Sequence, residues 1–203
     1  MGRQIVILAN SRKLSGRCVA GKDAEGNWIR LTKGGHLAVP KSEAVNYPLT
    51  GVVEVEDLTN TPSREYNFHT ENSVYSRTRY IGNLRRDLIE GYLDEPEDIF
   101  GTGRCLTEEE AQDLDYSLLF VEVQNLCLYY RDYGQYGYKL RGDFEYNGET
   151  YTDISVTDSY IEERFKNFGH QYEVNYDEAY ITVSLGEIFK GGSYKLISGV
   201  IIP

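Results

Sequence analysis

The second half of the sequence consists of short β-rich segments that are separated by turn signals, with one helix among them. The pair Asn147-Gly148 is the strongest short-range signal for a β-hairpin, because both residues tolerate the positive φ angles of a type I′ turn. Asp158 is a candidate helix N-cap and Gly169 a candidate stop. The predicted elements are strands near 117–130, 137–146, 149–156, 178–185 and 193–202, and a helix at 158–168.

The predicted order is three strands, one helix and two strands, which is the order of an OB-fold, a five-stranded Greek-key barrel. The register around the hairpin supports a coiled barrel strand. A two-residue turn pairs Phe144 with Tyr151 on an apolar face, yet it places Ile154 and Val156 on the charged face. A one-residue bulge resolves this conflict, and Gly142 is its natural site.

The first half predicts a second small β domain. The segments "RQIVILA", "GRCVAG" and "NWIRLT" predict a three-stranded meander, and "GVVEVEDL" alternates as a half-buried strand does. Apolar residues at helical spacing predict a helix near 81–93. The fold class is therefore mainly β with a few helices, as two small OB-like Greek-key barrels in tandem, with domains at 1–103 and 104–203.

Charge is distributed unevenly along the chain. The formal net charge is -11, but residues 1–42 carry +6 and the remainder carries -17. An acidic body repels a polyanion within a Debye length of about 8 Å. Any nucleic acid is therefore expected to bind locally. The alternative interpretation is that the N-terminal cations form an ordinary solvated face.

The N-terminal stretch "NSRKLSGRCVAGK" supplies donors that phosphate oxygens accept. Strand alternation places Trp28 and Arg30 on one face, where a base stacked on the indole and a phosphate on the guanidinium would suit OB-fold recognition. A structural turn and a buried Trp28 are the alternatives. The candidate nucleic-acid or nucleotide contacts are Asn10, Ser11, Arg12, Lys13, Arg17, Trp28, Arg30 and Lys33.

Two further segments are candidates for secondary contacts. The segment "RDYGQYGYKLR" predicts an exposed aromatic loop between basic residues, which suits either stacked bases or a protein partner. The segment "YSRTRYIGNLRR" is a second basic cluster. The secondary candidates are Arg77, Arg79, Arg85, Tyr133, Tyr136, Lys139 and Arg141.

The ends of the chain resemble a known family. The segments "IVILANSRKLSGRCVAGKD" and "GNWIRL" near the N-terminus, and "VSLGEIF" and "YKLISGVI" near the C-terminus, resemble the two ends of bacterial dual OB-domain proteins. In that family the tryptophan-containing strand commonly continues with Arg-Pro, whereas Leu31 follows Arg30 here. The resemblance implies the fold first and a nucleic-acid or nucleotide-related role second, in phage conflict and antiviral defence. It implies no catalytic residues.

Motifs for other functions are weak. The three cysteines show no C-x-x-C spacing and the histidines no paired ligand spacing, so neither a disulfide framework, a metal site nor a cofactor is predicted. Ser184 does not match G-x-S-x-G, and Cys18 lies in an apolar strand. No stretch approaches the roughly 20 apolar residues of a membrane helix. We expect a cytoplasmic chain without membrane contact and without a recognisable catalytic site.

Three functions are consistent with the sequence. The favoured one is a binding module for single-stranded nucleic acid or a nucleotide, in a basic and aromatic groove. The second is a protein-interaction module, in which the acidic C-terminal half docks on a basic partner or imitates nucleic acid. The third is a nucleotide-processing enzyme with an unrecognised site. Salt-sensitive oligonucleotide binding, binding to a basic protein and turnover would distinguish them.

Overall fold

The computed structural model describes residues 2–34 and 38–203 of the chain. Two separate antiparallel-rich sheets contain most of these residues, and each sheet curves into a barrel around its own apolar core. The predicted fold class, mainly β with two OB-like barrels in tandem, is confirmed.

The first barrel is built from seven strands. They are β1 (Arg3–Lys13), β2 (Gly16–Lys22), β3 (Trp28–Thr32), β4 (Gly51–Glu56), β5 (Thr59–Asn60), β6 (Asn72–Val74) and β7 (Arg77–Asn83), with a short helix α1 (Lys41–Ala44) after β3. Strand β6 runs parallel to β3, and β7 runs antiparallel to β4. Since only Tyr75 and Ser76 separate them, β6 and β7 act as one bent fifth strand that closes the barrel.

The second barrel follows the predicted order closely. Its elements are β8 (Cys105–Thr107), α2 (Glu108–Gln112), β9 (Leu118–Asp132), β10 (Tyr138–Tyr146), β11 (Glu149–Val156), α3 (Ser159–Phe168), β12 (Glu173–Leu185) and β13 (Gly192–Ile201). Strands β11 and β13 pair in parallel and close the barrel. Helix α3 begins as predicted, because the Asp158 carboxylate accepts the backbone N–H groups of Tyr160 and Ile161.

The helix predicted near 81–93 does not form as one α-helix. Ile81 is an exposed extra residue where the β4–β7 register shifts, and residues Arg86–Tyr92 form a 3₁₀ helix instead. Leu88 is also exposed, whereas Ile89 is buried against the side chains between the barrels. The apolar spacing therefore reflects a short connecting segment that crosses the seam, not one continuous helix face.

The predicted bulge beside the Asn147-Gly148 hairpin exists, but it is not at Gly142. Phe144 pairs with Tyr151 and Gly142 with Ile154, so the extra residue lies on β11. Asp153 has a φ of 58° and occupies that position. Gly142 has a different role, because a Cβ atom there would lie 2.6 Å from the Ile197 side chain in the barrel core.

The two barrels pack along β1 and β13. The Thr182 hydroxyl donates to the carbonyl of Leu8, and a Cβ atom on Gly199 would lie 2.2 Å from that same carbonyl oxygen. The predicted boundary at 103 falls between the two sheets. The core cluster of the second barrel also includes Ile99 and Phe100, as well as Phe68 from the loop before β6, and the domain boundary at 103 stays a prediction.

Candidate nucleic-acid interface

Each barrel has a cavity on the outer side of its second and third strands. The cavity of the first barrel measures about 300 Å³ and that of the second about 340 Å³. In OB-folds this strand face, together with the loops that follow the first and fourth strands, binds oligonucleotides and oligosaccharides. The two cavities therefore occupy equivalent positions in the two barrels.

The first cavity is lined by the β1–β2 hairpin, by β3 and by the loop that leads into β6. Lys13 and Arg17 come from the hairpin, and Arg30 comes from β3. Its remaining lining residues are Cys18, Leu31, Thr32, Ala38, Ser63, Arg64, Glu65, Tyr66, His69, Asn72 and Glu187. Two buried atoms here, Arg30 Nε and Asn72 Oδ1, have no hydrogen-bond partner within the part of the chain that the structure describes.

Arg30 is held in a buried network that spans both barrels. Its Nη2 atom lies 2.7 Å from Glu71 Oε1 and donates over 2.7 Å to the Ser117 hydroxyl, which in turn donates to Glu71 over 2.6 Å. Burial alone would lower the pKa of Arg30, but the adjacent Glu71 carboxylate raises the pKa above its ordinary value. Arg30 is therefore charged and its role is at least partly structural.

Most of the other N-terminal cations also have acidic partners. These ion pairs are Arg12 with Glu162 at 2.9 Å, Lys13 with Glu187 at 2.8 Å, Lys22 with Asp94 at 2.6 Å and Lys33 with Glu43 at 2.9 Å. The pairs of Arg12 and Lys13 join the first barrel to the second. These pairs neutralise most of the N-terminal cations, and the exceptions are Arg17 and Lys41, which make no ion pair among residues 2–34 and 38–203.

Asn10, Ser11 and Trp28 lie at the seam between the barrels and line neither strand-face cavity. The Asn10 amide donates to the carbonyls of Ala44 and Tyr47, both over 2.9 Å. Ser11 is buried. The Trp28 indole donates to Asp94 Oδ2 over 3.1 Å, and its ring packs against the apolar side chains of the seam. Trp28 and Arg30 do not form a joint base and phosphate site on one cavity.

The second cavity borders a cluster of arginines. Three guanidinium groups, those of Arg104, Arg131 and Arg141, surround the single carboxylate of Asp153. Burial alone would raise the pKa of Asp153, but the Tyr133 hydroxyl and the adjacent arginines lower it below its ordinary value. The carboxylate is ionised, and the cluster keeps two uncompensated positive charges.

Aromatic side chains frame this cluster. The Tyr133 hydroxyl donates to Asp153 over 2.8 Å, and the guanidinium carbon of Arg141 lies 4.9 Å from the centre of the Tyr133 ring. Phe189 and Tyr194 line the cavity from the other side and are both exposed. Tyr136 is 72% exposed in the loop between β9 and β10. Exposed rings beside cations are the components from which single-strand binding surfaces are built.

The loop between β12 and β13, residues 186–191, connects the two cavities. Glu187 lines the first cavity, where it pairs with Lys13, and Phe189 lines the second. The loop therefore contributes a wall to both cavities.

The remaining secondary candidates lie elsewhere. Arg79 pairs with Glu54 at 2.6 Å and Arg85 with Asp87 at 2.6 Å, while Arg77 is exposed on β7. None of the three lines either cavity. Lys139 is exposed on β10, next to Tyr138.

Sequence reasoning missed several residues of the second cavity. Arg104 follows a glycine-rich loop, Asp153 lies in a polar β segment, and Phe189 precedes Lys190-Gly191. A signal for Phe189 existed, because an exposed aromatic residue between the last two strands of an OB-fold lies in a ligand-binding loop. Asp153 had no such signal, because its position depends on the bulge.

Another surface of the second barrel is acidic. A groove of about 690 Å³ lies between the 93–96 segment and the β9–β10–β12 surface. Its carboxylates are Asp94, Glu95, Glu122, Glu145 and Glu178. The second barrel therefore presents a basic cavity on one face and an acidic groove on another, which restricts where a polyanion can lie.

His69 in the first cavity makes stability depend on pH. Its burial, with the nearby Arg30 cation, lowers the pKa of His69 to about 2, while an unfolded histidine titrates near 6.5. Below pH 6.5 the unfolded chain binds a proton that the folded chain does not. The stabilisation is therefore complete above pH 6.5 and is lost as pH falls, by about 2 kcal/mol between pH 7 and pH 5.

Urea unfolding at both pH values tests this expectation. In the His69→Gln variant, the free energy of unfolding should fall by about 2 kcal/mol less between pH 7 and pH 5 than in wild type. The matched control is His170→Gln, at an exposed histidine, which should show the same fall as wild type. Equal losses in wild type and His69→Gln would contradict the assignment.

No helix in the described ranges is long and apolar enough to cross a membrane. Within those same ranges, no group of three or more histidine, cysteine or acidic side chains is arranged to hold a metal ion. The three cysteines are free thiols.

Comparison with known proteins agrees with this geometry. The model of a family described as "Dual OB-containing domain" matches residues 3–200. The resemblance found at the two ends of the sequence is thereby confirmed over nearly the whole chain. No curated protein and no solved structure matches the chain.

Proposed function

The chain belongs to the dual OB-containing domain family, and from that premise we propose that it binds single-stranded nucleic acid on the strand face of its second barrel. One observation carries the proposal: three arginines and Tyr133 converge on Asp153, and all of these residues except Arg131 line the cavity on the strand face where OB-folds bind oligonucleotides. The OB-fold itself supports a binding module, and these residues support a polyanionic ligand with aromatic bases.

The arginines have donors left for a phosphate. Arg141 Nε is buried and makes no hydrogen bond within the described residues, although Asp153 lies 3.5 Å away. Arg104 and Arg131 are half exposed, so their remaining N–H groups face solvent. A phosphate that docks here gains charge-assisted hydrogen bonds without first breaking the pairs with Asp153.

The strand is proposed to continue toward the first barrel. Exposed rings at Phe189, which lines the cavity, and at Tyr136, in the loop between β9 and β10, offer stacking platforms worth about 1 to 3 kcal/mol per base. Beyond the 186–191 loop, Arg17 and Arg64 line the first cavity. Of the N-terminal candidates, Arg17 and Lys13 line the first cavity and are proposed as phosphate contacts, whereas Arg12 and Lys33 line neither strand-face cavity.

Oligonucleotide titration tests the proposed function. Fluorescence anisotropy with labelled, mixed-sequence single-stranded DNA and RNA should show binding at about 50 mM salt. If three phosphates are neutralised, the affinity should fall by about 20-fold at 200 mM salt, since each phosphate contributes about -0.7 to the logarithmic slope for single strands. The emission of Trp28 should change little, because its ring is packed at the seam. Absence of binding at 50 mM salt would contradict the proposal.

A second candidate is docking of a basic protein partner on the acidic groove. The five carboxylates of that groove favour it by charge complementarity. Polylysine is a suitable probe, and the Glu122→Gln, Glu178→Gln double variant should weaken its binding while oligonucleotide binding persists. Action in phage conflict and a cytoplasmic location remain predictions from the sequence.

A further inference from the structure

A third cavity lies at the seam between the barrels, and it shares Arg17 with the cavity of the first barrel. Its volume is about 570 Å³, within the range that small-molecule ligands occupy. It is lined by Asn10, Arg17, Ala44, Val45, Tyr47, Pro48, Leu49, Thr50, Asp158, Ser159, Tyr160, Glu163, Val200 and Ile201. Most of these walls are apolar or aromatic, and a few polar groups converge on them, as is usual for small-molecule sites.

Two polar atoms of this cavity are buried without a partner among the residues that the structure describes, Asn10 Oδ1 and Ser159 Oγ. The orientation of the Asn10 amide is fixed, because its nitrogen donates to the carbonyls of Ala44 and Tyr47. The amide atom that remains without a partner is therefore the oxygen, which accepts hydrogen bonds. An unpaired buried polar atom destabilises the fold, so a ligand that donates to Asn10 Oδ1 removes this cost.

Other polar groups of the cavity restrict the ligand further. The Asp158 carboxylate accepts three backbone N–H groups, from Tyr160, Ile161 and Val200, and so is already satisfied. Arg17 lines this cavity as well as that of the first barrel. It makes no ion pair in the described part of the chain, so its guanidinium is available to an anion.

We propose that this cavity binds an adenine nucleotide. The base lies between the apolar walls and the Tyr160 ring, its exocyclic amino group donates to Asn10 Oδ1, and a ring nitrogen accepts from the Ser159 hydroxyl. The phosphate forms an ion pair with the Arg17 guanidinium. The site goes beyond the proposed function in its ligand and in its walls, although it shares Arg17 with the proposed path of the strand. A free mononucleotide and a nucleotide of a bound strand share this chemistry.

Calorimetric titration of the full chain with AMP tests the site. We expect saturable binding of one AMP per chain. Purine riboside 5′-monophosphate lacks the amino group and should bind about 10-fold more weakly, and ribose 5-phosphate should not bind. Failure of AMP to bind at millimolar concentration, or equal binding of AMP and ribose 5-phosphate, would overturn the proposal.

Substitutions of residues that line the cavity test whether AMP binds there. Tyr160→Ala and Ser159→Ala should each weaken AMP by about 5-fold or more, whereas Tyr136→Ala removes a ring of the same 72% exposure and should change nothing. Arg17→Ala should weaken AMP but not adenosine. If Tyr160→Ala and Ser159→Ala both bind AMP like wild type, the cavity is not the site.

Competition distinguishes the two sources of the nucleotide. Displacement of AMP by oligoadenylate, with a contribution of Tyr160 to oligoadenylate affinity, identifies the ligand as part of a strand. AMP binding that oligoadenylate does not displace identifies a free nucleotide. Either way, the Arg104→Ala, Arg131→Ala variant should retain AMP binding, so that loss of the proposed oligonucleotide function leaves this test intact.

Discussion

Replacement of Arg104 and Arg131 together by alanine is expected to lower the affinity for single-stranded oligonucleotides by about 100-fold. Each arginine offers a charge-assisted hydrogen bond to phosphate, and such bonds contribute about 1.5 to 3 kcal/mol. Their loss also leaves Arg141 as the one ion-pair partner of Asp153 among the described residues, so the cluster around Asp153 changes from a charge of +2 to a neutral pair. The slope of log affinity against log salt should become shallower by about 1.4, because two phosphate contacts disappear.

The fold should tolerate this double change. Both side chains are 53% exposed, and exposed ion pairs contribute about 0 to 1 kcal/mol to stability. The matched control is Arg79→Ala, Arg85→Ala, which removes the same charge from ion-paired residues outside the cavities. If both double variants lose oligonucleotide affinity equally, binding follows net charge and the second cavity is not the site.

The second barrel was predictable because its signals are local. The turn at Asn147-Gly148, the N-cap Asp158 and the stop Gly169 each specify the backbone within a few residues. In the first barrel, the 81–93 segment has helical spacing but is shaped by its contacts at the seam. Those contacts join residues distant in sequence, and local periodicity does not encode them.

The candidate site shows the same division between local and long-range information. Strand alternation places Trp28 and Arg30 on one face of β3. It does not predict that the Trp28 indole donates to Asp94 or that Arg30 forms an ion pair with Glu71. Local composition marked the loop with Tyr133 as a ligand surface. The arginines gathered there come from three different segments, and only barrel closure and the bulge at Asp153 bring them together.

Glu71→Ala is expected to destabilise the fold by about 3 to 5 kcal/mol in urea unfolding. The substitution leaves the buried Arg30 guanidinium without its counter-charge, and an uncompensated buried charge is costly. The same change breaks the link through Ser117, so it weakens the contact of the first barrel with the second. Ser117→Ala keeps the ion pair and should cost less, about 1 to 2 kcal/mol.

The double variant Arg30→Met, Glu71→Leu decides between a charge effect and a packing effect. It removes both charges while it keeps apolar volume, so it should be more stable than Glu71→Ala by about 2 kcal/mol or more. A double variant as unstable as Glu71→Ala would show that the hydrogen bonds to Ser117, and not the ion pair, stabilise the seam. Oligonucleotide binding by the folded double variant should persist, because the basic cluster of the second barrel contains neither residue.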